Sequence, residues 1–280
     1  MNGFCDLHTH SVFSDGTCTP AELLGEALAL HLSAVALCDH NTADGLPDFL
    51  AAAEGKPIET VAGAEFSVEL EGKELHLLGL FLPPYCFSQI ADLSAEADRL
   101  KEESNLALIS ALQKAGVFLD YEAVKSRTPK GRVNRAHIAA EMTARGYTAS
   151  VKEAFSRYLA PEVGYYTEPK RLGVWKIIDF IRSVGACPVL AHPFLNLTEA
   201  ELAAFLPKAR EAGLVGMECI YSLYSEETTQ KSLALAEHFG LKPSGGSDFH
   251  GTVKPDIRLG TGKGNLRVPY AWLSDLKAAV

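Results

Sequence analysis

The sequence predicts an α/β protein in which strands and helices alternate, interrupted by one helical segment. Three observations lead there. Short apolar runs recur in both the first and the last third of the chain, mostly spaced by helical patterns of roughly ten to fifteen residues, a spacing that favours parallel βα units. The stretch 95–167 carries helical periodicity with no convincing strand. The chain has 280 residues, enough for one α/β barrel of roughly 250.

Gly3–Leu7 reads as the first strand, and Thr19–Leu32 as a helix with Thr19 at the N-cap and Pro20 at its first position. Ala34–Cys38 is an apolar strand running into Asp39-His40. Leu46–Glu54 is a helix, and Glu59–Glu65 and Glu74–Phe81 are strands. Ser94–Ala115, Val133–Arg145 and Ser150–Leu159 are the helices of the middle segment. Trp175–Val184 is a helix with Gly185 past its end, and strand Cys187–Ala191 leads into His192-Pro193. Helix Thr198–Ala212, strand Gly216–Ile220 and helix Thr228–Phe239 follow, and Lys242–Ser244 runs into Gly245-Gly246-Ser247-Asp248. The α/β body is therefore 1–94 with 168–280, and 95–167 is a helical insertion expected to cover the active site.

Composition narrows the class. Hydrophobic residues make up 47% and charged residues 22%, which is ordinary globular usage. No apolar run approaches the roughly 20 residues of a membrane span, and Met1–Asp6 has no basic segment of the kind a signal peptide needs. The six cysteines show no Cys-x-x-Cys spacing and several lie in apolar runs, as small buried hydrophobes of a reducing cytoplasm do. A formal charge of −9 argues against broad nucleic-acid binding and a stable nucleic-acid complex. It leaves room for an anionic substrate if bound cations reverse the local field.

The chemistry lies in the histidines. His8, His10, His40, His192 and His250 fall at or after the ends of predicted strands, the face where a parallel barrel carries its reactive groups, and His76 lies within the predicted strand Glu74–Phe81. His8 and His10 are two apart, so an extended backbone points both to one side. Asp15, Glu65 and Asp248 occupy the same kind of position. Mixed imidazole and carboxylate donors suit Zn²⁺, Mn²⁺ or Fe²⁺, and nine donors imply two or three ions. His31 and His238 sit near helix ends and read as structural.

Six segments carry a resemblance: Asp6-Leu7-His8-Thr9-His10-Ser11, Ser14-Asp15-Gly16, Ala36–Thr42, Gly63-Ala64-Glu65, Leu190-Ala191-His192-Pro193 and Gly246–Gly251. In order, they resemble the signatures of the PHP (polymerase and histidinol phosphatase) superfamily. The resemblance implies a distorted (β/α)7 TIM-like barrel and a trinuclear site. One ion would be held by His8, His10, Glu65 and Asp248, and a second by Asp15, His40 and His250. Glu65 would bridge to a third held by His76 and His192. Asn134-Arg135-Ala136-His137-Ile138-Ala139 resembles the insertion of a subgroup that includes nucleoside 3′,5′-bisphosphate phosphatases and a 5′-to-3′ exoribonuclease, with Ala136 in place of the usual Pro.

The implied activity is hydrolysis of nucleotide phosphate esters by a metal-bridging hydroxide. The expected substrates are the 3′-phosphate of a nucleoside 3′,5′-bisphosphate, the 5′ end of a short RNA, or both. Catalytic roles are expected for Asp15, His40, Glu65 and His137. Arg135 suits the substrate phosphate, because its planar fork meets phosphate oxygens at two points. Arg132 and Lys130 are candidates for a second phosphate, and His137 for phosphate binding or protonation of the leaving group. Tyr165 and Tyr166 either stack on a base or pack the insertion, and Asp39 is expected to orient a ligand histidine. Two alternatives stand beside this reading: a phosphatase of another small monoester such as histidinol phosphate, and a regulatory metal-binding module without turnover.

Overall fold

Strands buried on both faces need apolar residues at every position, and Ala34–Leu37 and Cys187–Ala191 are buried along their whole length. The computed structural model describes residues 3–126, 128, 133–264 and 266–280. Its strands are β1 (Phe4–Asp6), β2 (Ala34–Leu37), β3 (Glu59–Leu70), β4 (Lys73–Leu80), β5 (Leu172–Gly173), β6 (Cys187–Ala191), β7 (Gly216–Tyr221), β8 (Lys242–Gly246) and β9 (Val268–Pro269). They lie in the order β8-β7-β6-β4-β3-β2-β1-β9, with β5 on β3. Beyond β1, Leu7 N–H donates to Gly245 O at 3.2 Å, Asp248 N–H to His8 O at 2.8 Å and His10 N–H to Phe249 O at 2.9 Å. These bonds join the two edges, so β1, β2, β3, β4, β6, β7 and β8 form a distorted TIM-like barrel.

Alternate residues of four barrel strands meet in one core: Cys5 and Leu7, Ala34, Ala36 and Cys38, Leu78 and Leu80, Cys187, Val189 and Ala191. Small side chains at six of these positions suit the limited room inside so small a barrel. The six cysteines are all free and five are buried.

One strand runs against the expected parallel pattern. β4 is antiparallel to both β3 and β6, because only Glu71-Gly72 separates β3 from β4 and both residues take positive φ (50° and 82°). Two such residues make a tight hairpin. β3 also continues five residues past the predicted end at Glu65, since β4 supplies its hydrogen-bond partners that far.

The helices are α1 (Pro20–Ala29), α2 (Leu46–Ala53), α3 (Phe87–Lys114), α4 (Tyr121–Ser126), α5 (Arg135–Ala144), α6 (Val151–Ala154), α7 (Val174–Ser183), α8 (Glu199–Glu211), α9 (Glu226–His238) and α10 (Tyr270–Lys277). Thr19 caps α1 in a capping box with Glu22. α9 starts two residues before the predicted Thr228, because Ser225 accepts the Thr228 N–H as N-cap. α6 ends early and widens into a π turn over Phe155–Leu159. No helix among the described residues is long and apolar enough to cross a membrane.

The chain divides into two compact units, Met1–Leu93 with Leu172–Val280, and Ser94–Arg171. The second has its own core of Leu108, Leu112, Ile138, Ala139, Met142 and Leu159, among others.

Candidate metal centre

The first motif sits where β1 gives way to the closing seam. Asp6 is fully buried, and its carboxylate accepts the N–H groups of His8 at 3.3 Å, Ser247 at 2.9 Å and Gly260 at 2.7 Å. Burial pushes its pKa up, against those hydrogen bonds. One carboxylate thus ties together the segments carrying His8 and Asp248.

Around this anchor the structure gathers the predicted residues. Ligand atoms of His8, His10, Glu65 and Asp248 lie within 4.8 Å of one another, as do those of His10, Asp15, His40 and His250, and those of His40, Glu65 and His76. Glu65 is central. Its Oε1 lies 2.7 Å from His76 Nδ1 and 2.9 Å from His192 Nε2. Its Oε2 lies 3.0 Å from His40 Nδ1, 3.3 Å from His8 Nε2 and 3.4 Å from His10 Nε2. His76 reaches the group because β4 runs antiparallel. It is the fourth residue of its strand, and a reversed strand offers its beginning to the carboxyl ends of its neighbours.

His8 Nε2, both ring nitrogens of His10 and Glu65 Oε2 are buried with no hydrogen-bond partner, an arrangement that costs free energy unless something satisfies them. His8 Nε2, His10 Nε2 and Glu65 Oε2 belong to residues of one ligand group, and a shared cation is the partner that two imidazole lone pairs and a carboxylate can all accept; His10 Nδ1, on the other side of the ring, lies 3.9 Å from Asp15 Oδ1. Burial pushes His10 down to about 3. His76 goes the other way: burial opposes protonation, yet Glu65 and Glu74 lift it to about 10. Burial likewise opposes ionisation of Asp15 and Asp248, and neighbouring histidines hold both well below the carboxylate range. The residues fit a site for divalent ions.

One expectation is corrected. Asp39 holds no ligand histidine: it accepts Ser11 N–H at 2.8 Å, Ser11 Oγ–H at 2.7 Å and Ser14 Oγ–H at 2.6 Å. It therefore fixes the loop that presents Asp15. His31 follows the C-cap of α1, near the helix end where the sequence puts it, with φ 56°.

In the second unit, Arg135 lies with its guanidinium 4.1 Å from the centroid of the Tyr166 ring and donates to Leu159 O at 3.2 Å. Tyr165 pairs with Tyr158 at 6.0 Å. His137 Nδ1 accepts the Asn134 N–H at 3.1 Å, closing a capping box. With Nδ1 accepting, the ring proton sits on Nε2. Lys130 and Arg132 lie outside the described residues.

Sequence reasoning missed Glu218 of β7. Its Oε1 lies 3.0 Å from His8 Nδ1, its Oε2 accepts His192 N–H at 2.7 Å, and it is fully buried. The signal was a lone acid in the apolar run Gly216-Met217-Glu218-Cys219-Ile220, since an acid buried in a barrel strand needs a partner. Tyr221 and Lys254, which both contact Asp248, gave no such signal.

Comparison with known proteins identifies the family. The family described as PHP domain matches residues 6–160. A 5′-3′ exoribonuclease of Haemophilus influenzae is 31% identical over 88% of this chain and 89% of its own length. A 3′,5′-nucleoside bisphosphate phosphatase of Chromobacterium violaceum is 28% identical over 88% of this chain and 86% of its own. A solved structure from Chromobacterium violaceum, described as an amidohydrolase with bound sulfate and no metal, superposes with a TM-score of 0.73 at 26% identity, covering 98% of this chain and 96% of that one.

Proposed function

The chain belongs to the PHP domain family and is a phosphoric ester hydrolase, and from that premise we propose that it acts on nucleotides at a centre of two to three divalent ions. The proposed substrates are the 3′-phosphate of nucleoside 3′,5′-bisphosphates and the 5′ ends of short RNA, the activities named for the phosphatase and exoribonuclease relatives. The observation that carries the reading is the unpartnered set of His8, His10 and Glu65 atoms buried in one ligand group.

His8, His10, Glu65 and Asp248 would hold one ion, Asp15, His40 and His250 a second, and Glu65, His76 and His192 a third. Mn²⁺, Fe²⁺ and Zn²⁺ all suit such donors. When bound, divalent ions acidify water and offset the charge on phosphoryl oxygens. The protein's own contribution is geometric. Glu65, buried among five histidines, fixes the spacing of the donor groups. Asp39 fixes the Ser11–Ser14 loop before Asp15. Arg135 is assigned to the substrate phosphate, its guanidinium 4.1 Å from the centroid of the Tyr166 ring. His137 is assigned to the leaving group, with Nε2–H as the donor.

Phosphate release from 3′-phosphoadenosine 5′-phosphate and from histidinol phosphate, and mononucleotide release from 5′-phosphorylated RNA, each with Mn²⁺, Fe²⁺ or Zn²⁺, test the proposal. Turnover of either nucleotide substrate ahead of histidinol phosphate supports it. Preference for histidinol phosphate, or metal binding with no turnover at all, overturns it.

A further inference from the structure

We propose that Glu218 is a positioning residue that fixes two of the ligand histidines at once, His8 through its ring and His192 through its main chain. The inference rests on the reading of the cluster as a divalent-metal site.

Glu218 projects from the middle of β7 and is fully buried. A carboxylate inside a barrel is costly unless donors satisfy it, and here each oxygen meets one donor. His8 Nδ1 lies 3.0 Å from Oε1, and His192 N–H donates to Oε2 at 2.7 Å. Both donors belong to candidate ligands, on loops that follow two different strands. The contact at Nδ1 places the His8 proton there and leaves the lone pair on Nε2, the atom buried without a partner beside Glu65 and Asp248. A carboxylate behind a ligand imidazole sets its tautomer, its orientation and its basicity.

The second contact acts on the backbone. His192 has φ 25° and ψ 53°, a left-handed conformation that a non-glycine residue keeps only when its surroundings hold it. The hydrogen bond from its N–H to Glu218 is such a hold, and the turn it stabilises aims His192 Nε2 at Glu65 Oε1, 2.9 Å away. Glu218 thus links the group containing His8 to the group containing His192.

The isosteric Glu218→Gln tests this, because the amide replaces one of the two acceptor oxygens with an NH2 donor and leaves one of the two N–H groups facing a donor. Metal-free protein is titrated with Mn²⁺ and with Zn²⁺, metal per chain is counted by mass spectrometry, and folding is followed by thermal melting. Binding should weaken roughly ten- to a hundredfold, with lower stoichiometry after dialysis. In a His192→Ala background the same substitution should cost less. Wild-type affinity in folded Glu218→Gln, with only the melting temperature of the metal-free protein lowered, overturns the proposal. If the amide variant does not fold, Glu218→Asp keeps the charge on a shorter arm: weakened binding supports the proposal and wild-type binding overturns it. A wild-type chain that binds no metal refutes the metal-site reading itself, so the two failures are distinct.

Discussion

The Tyr221 hydroxyl donates to Asp248 Oδ2 at 2.9 Å, and the other oxygen of that carboxylate faces His10 Nε2 at 3.1 Å. Lys254 Nζ meets the same Oδ2 at 2.7 Å. Asp248 is thereby divided: one oxygen is saturated by protein donors and the other is turned to the histidines. Burial, with Asp248 close by, pushes the Tyr221 hydroxyl far above its ordinary pKa, so it remains a donor throughout the working range.

Tyr221→Phe should therefore leave the fold intact and weaken metal binding only modestly, because Lys254 still holds Oδ2. Combined with Lys254→Met, the loss should grow to roughly tenfold or more. Metal titrations of the two single variants and the double variant check this; equal affinity in all three would show that the division of Asp248 has no bearing on the ions.

Glu65 offers both oxygens to histidines. Glu65→Gln should lower metal stoichiometry and phosphatase rate together, since an amide cannot bridge ions as a carboxylate does. Metal analysis and phosphate release on the same preparation read both. Full activity with unchanged metal content would remove Glu65 from the bridging role.

Arg135 should separate from the metals. Arg135→Ala is expected to raise KM for a nucleoside bisphosphate while leaving metal content at the wild-type value. Arg135→Lys should recover only part of the loss, because an ammonium lacks the bidentate fork. A variant that loses metal, or one that keeps wild-type KM, contradicts the assignment.

Glu201 carries a pH-dependent share of stability away from the metals. Lys73 and the Thr198 cap pull its pKa from 4.5 down to about 2. A depressed carboxylate stabilises the fold above its unfolded pKa and loses that contribution as pH falls toward the folded value. The difference in Tm between wild type and Glu201→Gln should thus be present at pH 7 and shrink between pH 5 and pH 3. A gap that widens on acidification would reverse the sign and refute the account.

How much of this is legible in the sequence depends on the kind of information. Runs such as Ala34–Cys38 and Cys187–Ala191 declare themselves, because a strand covered on both faces has no polar position. The start of α1 is as clear, since Thr19, Pro20 and Glu22 act within one turn. The direction of β4 is not written in its own residues; it follows from Glu71-Gly72, whose two-residue spacing permits only a hairpin. Asp39 was open to misreading because its partners, Ser11 and Ser14, are recognisable only once the loop is folded back on it. The histidines stand out by residue type and spacing. Glu218 shows only as a lone acid in an apolar run, and its role depends on two donors 210 and 26 residues away.

The seam that closes the barrel has a consequence for how the protein is made. His8 and His10 are synthesised long before Asp248 and His250, yet they stand beside them, and their segment is held by bonds to Gly245 and Phe249. Contacts of such separation form late, after most of the loop entropy between them has been overcome. On the ribosome the nascent chain therefore offers loose histidines rather than a site, and ion capture should follow the emergence of the last barrel strand.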